Sequence, residues 1–277
     1  MPDLDVTGGH IHYEIYGTGY PVLLFAPGFL SSRIERWSRN PERPGVPQDW
    51  LDPIAELWAD FRLVALDVRN AGRSRARIGP EDDWATYTAD HLALLDHLAI
   101  RQCHVMGACI GVSFALALAK ARPGLVSACV LQNPIGLSST NRAALDHEFD
   151  CWADVVRNRR DIDARLLPGF RQRMFGGDFI FSVTREFVRS CDIPMLLMPG
   201  DDVVHPTEIS ADLARAPKVE VLTRWKGTQY RDAAMRRVHE FFIAQQPKTG
   251  AARRAVARGH DPTMTSAPDN YGRGTDR

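Results

Sequence analysis

The chain has 277 residues, 44% hydrophobic and 25% charged, proportions that exclude a mainly disordered, collagen-like or coiled-coil protein. Its 34 basic side chains balance 34 acidic ones, so no net field draws it toward nucleic acid or an anionic membrane. No apolar run approaches bilayer length and no leader-like apolar stretch opens the chain, which predicts a cytoplasmic globular protein.

Short apolar runs alternate with longer amphipathic ones, the pattern of an α/β protein with a mostly parallel twisted sheet of about eight strands flanked by helices. Residues His10–Tyr16 alternate as a strand does and stop at the turn Gly17-Thr18-Gly19. Pro21–Ala26 reads as a buried strand, Arg33–Gln48 as a long surface loop, and Phe61–Asp67 as a second buried strand. Trp84–Ile100 is helical by spacing, Cys103–Met106 is a strand, and Ile110–Ala121 is an Ala/Leu-rich helix that stops before Pro123. After the strand Ala128–Gln132, residues Leu137–Cys191 carry several helical patterns and no strand, which predicts a helical lid. Met195–Met198 and Val219–Leu222 complete the strands, and Thr207–Ala216 and Arg231–Ala244 the helices. From Pro247 onward large apolar residues almost vanish, so a disordered tail is expected. The predicted organisation is therefore a core over 1–134 and 194–246, a lid over 135–193 and a tail over 247–277.

Gly107-Ala108-Cys109-Ile110-Gly111 is the most informative local motif. It follows a strand and opens a helix, the setting a G-x-S-x-G nucleophile elbow needs, with a thiol in the centre. Roughly 0.03 matches to G-x-C-x-G are expected by chance in a chain with these glycine and cysteine counts. A residue at the first turn of a helix faces unpaired N–H groups and the positive dipole end, both favouring thiolate. The bland alternative is a buried packing cysteine in a glycine-containing turn. The other cysteines, Cys103, Cys129, Cys151 and Cys191, read as packing residues. With no C-x-x-C pair and no H-E-x-x-H, neither a metal site nor a disulfide framework is suggested.

Taken in order, Gly17-Thr18-Gly19-Tyr20-Pro21, Pro27-Gly28-Phe29, Asp67-Val68-Arg69-Asn70-Ala71-Gly72-Arg73-Ser74, the elbow, and Pro199-Gly200-Asp201-Asp202-Val203-Val204-His205-Pro206 resemble the α/β-hydrolase family. The likeness runs from about Gly9 to Gln245. It implies the family's fold with a lid, an oxyanion hole from the N–H groups of Phe29 and Ile110, and an acid after the strand that follows the lid. Asp202, four residues before Pro206, matches that acid better than Asp201. The alternative for both aspartates is a turn and cap before Thr207.

The general base departs from the pattern. The family places a histidine just before the last helix, yet Arg224-Trp225-Lys226-Gly227-Thr228-Gln229-Tyr230-Arg231 contains none, and His239 falls inside the helix. Three arrangements stay open: His205 turned back toward Cys109, the lid residue His147 closing over the thiol, or no imidazole at all. His205 is the preferred candidate. Arg69 and Arg73, just after a buried strand, are candidates to hold a substrate carboxylate or phosphate, although such arginines commonly pair with nearby acids. Lid aromatics such as Phe149, Trp152 and Phe175 suggest a partly apolar pocket.

The resemblance thus implies a hydrolase or acyltransferase acting through Cys109 on an ester, lactone or thioester carbonyl of a small molecule. Asp202 would orient the base, for which His205 is the preferred candidate, and no cofactor or metal is implied. A homo-oligomer is compatible with this reading. The rival is a non-catalytic ligand-binding or scaffold protein without a complete triad. The enzymatic reading requires the Cys109 sulfur to stand in a reachable cleft facing two main-chain donors.

Overall fold

The computed structural model describes residues 2–41, 45 and 50–247. The strands are β1 Asp3–Val6, β2 Gly9–Tyr16, β3 Tyr20–Phe25, β4 Phe61–Leu66, β5 Arg75–Ala76, β6 Cys103–Ala108, β7 Val126–Gln132, β8 Met195–Met198 and β9 Val219–Val221. The helices are α1 Pro53–Leu57, α2 Trp84–His97, α3 Ile110–Ala121, α4 Arg142–Val156, α5 Leu167–Phe175, α6 Arg185–Ser190, α7 Thr207–Leu213 and α8 Thr228–Gln245. Among the described residues the strands form one sheet in the order β1-β2-β4-β3-β6-β7-β8-β9, with β5 paired to β2. The pairs β1–β2 and β2–β4 are antiparallel, and every pair from β4–β3 to β8–β9 is parallel.

The parallel strands are nearly continuous apolar runs because helices cover both faces of the sheet. Side chains alternate between the two faces. Leu23 and Phe25 of β3 and Val105 of β6 join the core under α2 and α3, which also contains Cys109. Val22, Leu24, Met106 and Ala108 face the other way, into the core that includes residues of α1 and α8. The elbow emerges where β6 hands over to α3, at the carboxyl edge of the central strands. That edge is where open parallel sheets bind ligands.

Several boundaries differ from the sequence reading for local reasons. Helix α2 ends at His97, not Ile100, because Ala99 takes φ 54° and the Ile100 N–H turns back to the Leu95 carbonyl, a left-handed stop that periodicity does not reveal. Helix α7 ends at Leu213 and α8 begins at Thr228. The charged β1 and two-residue β5 were not predicted, being sheet-edge elements without an apolar signature. The expected surface loop Arg33–Gln48 instead contains a 3-10 turn, Ile34–Trp37, whose Trp37 is buried. Residues 42–44 and 46–49 of that loop, and the expected tail from 248 onward, lie outside the described residues.

Between β7 and β8 the chain is helical, with α4, α5, α6 and a 3-10 turn at Ala164–Leu166. This segment is seated on the strand-end loops by specific contacts. Phe175 stacks on Phe29 with ring centroids 4.4 Å apart. The Trp84 indole donates to the Met174 carbonyl at 2.6 Å, and Arg159 donates to Asn70 Oδ1 at 2.9 Å. Buried aromatics with their polar ends paired make this a packed layer.

Candidate active site

Cys109 adopts φ 56° and ψ −118°, a conformation that costs a non-glycine residue about 1–3 kcal/mol and persists only where its surroundings impose it. The surroundings are the flanking glycines. A Cβ on Gly107 would lie 2.2 Å from the Gly111 carbonyl oxygen, and one on Gly111 would lie 2.2 Å from the Phe25 carbonyl oxygen. Only glycine lets β6, α3 and β3 approach this closely. The Cys109 N–H is held by the Gln132 carbonyl at 3.0 Å, and its carbonyl accepts from Val112 at 3.2 Å.

Cys109 is 7% exposed, so its side chain is largely covered by the surrounding chain. Main-chain donors converge on it from the N–H groups of Gly28 and Phe29, and Phe29 is one of the two residues expected to hold the oxyanion. Ile110 is the first residue of α3, a position whose N–H has no acceptor within the helix. The Pro27-Gly28-Phe29 turn thus supplies two donors where one was anticipated.

Asp202 and His205 are joined within a single short loop. The Asp202 carboxylate receives the His205 Nδ1 hydrogen at 2.7 and 2.8 Å, and it also accepts from the main-chain N–H groups of Val204 and His205, both at 3.0 Å. A three-residue separation therefore folds the loop back so that the acid fixes both ring orientation and backbone. This orientation leaves His205 Nε2 as the free end of the ring, buried and without a conventional hydrogen-bond partner among the described residues. The group it couples to electrostatically is the Cys109 thiol.

The charges follow from that arrangement. Burial alone would raise the Cys109 pKa, but the His205 imidazolium and the N–H groups of Gly28 and Phe29 outweigh it, so the thiol titrates below its ordinary value. Burial would lower His205, yet the facing thiolate and the Asp202 carboxylate raise it to about 9. Burial opposes the Asp202 charge too, but its hydrogen bonds to His205 and the His205 charge hold it well below the usual carboxylate range. A thiolate–imidazolium pair at neutral pH is the state these three shifts describe.

The loop is anchored from two sides. Asn141 at the start of α4 donates to the Val203 carbonyl at 2.9 Å. Lys226 pairs with Asp201 and lies 3.9 Å from Asp202 Oδ2, and the Trp225 indole donates to the Pro199 carbonyl at 3.0 Å. Trp225 and Lys226 belong to the segment 224–231, which contains no histidine.

The other candidates are accounted for elsewhere. Arg69 is 3% exposed and spends its guanidinium on Asp90, at 2.8 Å through both Nε and Nη2, and on the Thr7 carbonyl at 3.1 Å. Arg73 pairs with Glu14 at 2.5 Å. Arg69 is thus matched to a carboxylate of the fold, and half-exposed Arg73 is paired with Glu14. His147 is exposed on α4 and lies 3.6 Å from Cys151, so it does not close over Cys109. Cys151 is exposed rather than packed. His239 pairs with Asp60 at 2.9 Å, and burial drives His104 down to about 4, a neutral core histidine. Among the described residues no cluster could hold a metal ion, and no helix is long and apolar enough to cross a membrane. A cavity of about 460 Å³ lined by Glu56, Leu57, Asp232, Met235, Arg236 and His239 includes none of the residues around the thiol.

Comparison with known proteins agrees with this architecture. The structure resembles an esterase from Rhodococcus sp. ECU1013 (TM-score 0.63, 20% identity, 88% of this chain and 98% of that one). It also resembles a meta-cleavage product hydrolase from Pseudomonas fluorescens (TM-score 0.60, 20% identity, 88% and 98%). In sequence it is 36% identical over 94 residues to RutD of Pseudomonas savastanoi pv. phaseolicola, a protein that carries a carbamate hydrolase name; the match covers 32% of this chain and 34% of the relative. The chain thus spans about a third of the length of that relative. A non-heme haloperoxidase from Rhodococcus erythropolis matches at 26% identity over 80% of this chain and 90% of its own. Residues 21–187, more than half the chain and inclusive of the Pro27-Gly28-Phe29 turn and the Cys109 elbow, match the model of the alpha/beta hydrolase fold, the family to which the chain belongs.

Proposed function

We propose that the protein is a hydrolase or acyltransferase that uses Cys109 to attack an ester, lactone or thioester carbonyl of a small molecule. The observation that carries this reading is the convergence on one sulfur of two main-chain N–H groups and an imidazole oriented by a carboxylate. Cys109 thiolate adds to the carbonyl carbon, and an oxyanion develops. The N–H of Phe29, with that of Gly28 or Ile110, stabilises the oxyanion charge. His205, protonated in the resting pair, gives its proton to the leaving group, and Asp202 holds the ring in the tautomer that makes this possible. Water or another acceptor then releases the acyl group.

The layer α4–α6 acts as a lid in this proposal. With Cys109 nearly buried, substrate entry requires Phe175 to part from Phe29. The aromatic underside of that layer favours a partly apolar acyl or leaving group. An N-formylmaleamate deformylase from Pseudomonas putida, 27% identical over 74% of this chain and 72% of its own, is named for release of an acyl group, in keeping with acyl-transfer chemistry. The thiol's low exposure is the observation that favours the rival reading, a ligand-binding protein without turnover.

The deciding experiment is a panel of p-nitrophenyl esters and aryl thioesters run with wild type and Cys109→Ala. Turnover in wild type that vanishes in the variant, together with an acyl adduct mapped to Cys109, is expected. A variant with undiminished turnover refutes covalent catalysis by this residue. A wild-type thiol inert to iodoacetamide favours the ligand-binding protein.

A further inference from the structure

The His205 ring is anchored along one edge. Its Cβ lies against the exit of β8, where a Cβ on Gly200 would stand 2.6 Å from it, so glycine lets the two segments close. Its Nδ1 is bound by both Asp202 oxygens, at 2.7 and 2.8 Å. The opposite corner, Nε2, faces the Cys109 thiol. A ring held along its Cγ–Nδ1 edge can still tilt about that edge, and the tilt swings Nε2 out of line with the sulfur. The loop itself offers little to stop this, since Val203 in its middle is 60% exposed. Trp50 packs on the ring: the two centroids lie 5.7 Å apart with the planes at 76°, inside the range of favourable perpendicular aromatic pairs. Trp50 is in turn placed by ordered neighbours. Leu51 is fully buried, Asp52 caps α1 by accepting from Ile54 at 3.0 Å and Ala55 at 3.3 Å, and Pro53 presets the first turn. The partly buried indole packs against both cores, the one that contains Cys109 and the one that includes residues of α1 and α8.

We propose that Trp50 is a positioning residue for the base, holding the His205 ring at the tilt where Nε2 meets the Cys109 sulfur. The inference rests on Cys109 and His205 being the reacting pair. The charged groups that face the imidazole are the Cys109 thiolate and the Asp202 carboxylate, with Lys226 beyond the carboxylate at 3.9 Å from Oδ2. Trp50 adds no charge to this set. It acts on the direction in which the ring presents its proton, first to the leaving group and then, once neutral, as acceptor from the attacking water. Both transfers need Nε2 within hydrogen-bond reach of the reacting atom, so a ring free to tilt slows both.

The test compares Trp50→Ala with Trp50→Phe. In the alanine variant, alkylation of Cys109 by iodoacetamide at neutral pH should fall about three- to tenfold, and the pH at which the thiolate forms should move up. Turnover of p-nitrophenyl acetate should fall about ten- to a hundredfold, through kcat. Phenylalanine keeps a ring at the position and should stay within about threefold of wild type. A second measurement needs no alanine variant. An imidazolium quenches the emission of an indole it touches far more than a neutral imidazole does. The emission of wild type minus that of Trp50→Phe should therefore rise as pH passes about 9, where His205 loses its proton, and His205→Gln should abolish the rise. A Trp50→Ala protein that melts earlier but keeps the wild-type pH profile of alkylation overturns the assignment, as does a Trp50 emission indifferent to His205. If His205→Gln leaves the alkylation rate unchanged, the reacting pair itself is wrong; a slow His205→Gln beside an unaffected Trp50→Ala refutes the role of Trp50 alone.

Discussion

Replacing His205 by glutamine tests the electrostatics of the site most directly. In the folded chain the imidazole is raised from 6.5 to about 9, which corresponds to about 3 kcal/mol of preference for the protonated ring. The facing thiolate is the first of the groups that raise it. By reciprocity the thiolate draws a comparable benefit from the ring. A glutamine amide in its place carries no charge, so the burial of Cys109, which opposes ionisation, is left with only the Gly28 and Phe29 N–H groups against it. At about 1.4 kcal/mol per factor of ten, the thiolate fraction at neutral pH should fall by about a hundredfold. The assay is the rate of Cys109 alkylation by iodoacetamide against pH, read by peptide mass, with the ultraviolet absorbance of the thiolate as a second measure. Wild type should react at a plateau that begins below the ordinary thiol range and changes as pH rises through about 9, where His205 loses its proton. The His205→Gln variant should be slow at neutral pH and recover only above the ordinary thiol range. Equal rates for the two proteins at neutral pH would refute the ion pair and, with it, the proposed base.

Cys109→Ser should fold normally but lose at least about a hundredfold in ester turnover, because a hydroxyl is not ionised by a charge that suffices for a thiol; a serine variant as fast as wild type would show that thiolate formation is not what the site is built for. Asp90→Asn leaves the 3%-exposed Arg69 short of its carboxylate and should cost about 3–5 kcal/mol of stability, seen in denaturant titration, while iodoacetamide reactivity of Cys109 stays unchanged. A loss of reactivity without loss of stability would return Arg69 to the site. Glu14 is held down to about 2 by its hydrogen bond from His12, against burial, with help from Tyr16 and Arg73. Its folded value lies below the ordinary 4.5, so its stabilisation is full above 4.5 and is lost as pH falls toward 2; Glu14→Gln should flatten the acid limb of the stability curve by about 3 kcal/mol, measured by denaturant midpoints at stepped pH, and a parallel acid limb in the variant would contradict the shift. Gly107→Ala, whose methyl would sit 2.2 Å from the Gly111 carbonyl oxygen, should lower thermal stability by about 2–4 kcal/mol, and a variant with wild-type melting temperature would mean that the elbow is looser than its contacts imply.

Local chemistry made much of this protein readable in one dimension. Continuous apolar runs located β3, β4, β6, β7 and β8, since strands covered on both faces need no alternation, and the spacing of glycines about Cys109 marked a strand-to-helix turn that only glycine permits. Asp202 and His205 were candidates in the sequence, the acid through its spacing to Pro206 and the base as one of three open arrangements; the folded loop is what joins them through the ring and the main chain. The course of the chain in space decided the rest. That Gly28 joins Phe29 in donating to the sulfur depends on how β3 exits beside β6, a meeting of segments about eighty residues apart. Arg69 looked available in sequence and is consumed by Asp90, because helix α2 packs that carboxylate against it. Gln132 is an ordinary polar residue at a strand end until the register sets it between Ala108 and Met198, where its main-chain carbonyl accepts the Cys109 N–H. Sequence periodicity records which face a residue turns to the core; which distant partner waits on that face is set by strand order and helix packing, interactions that no single segment encodes.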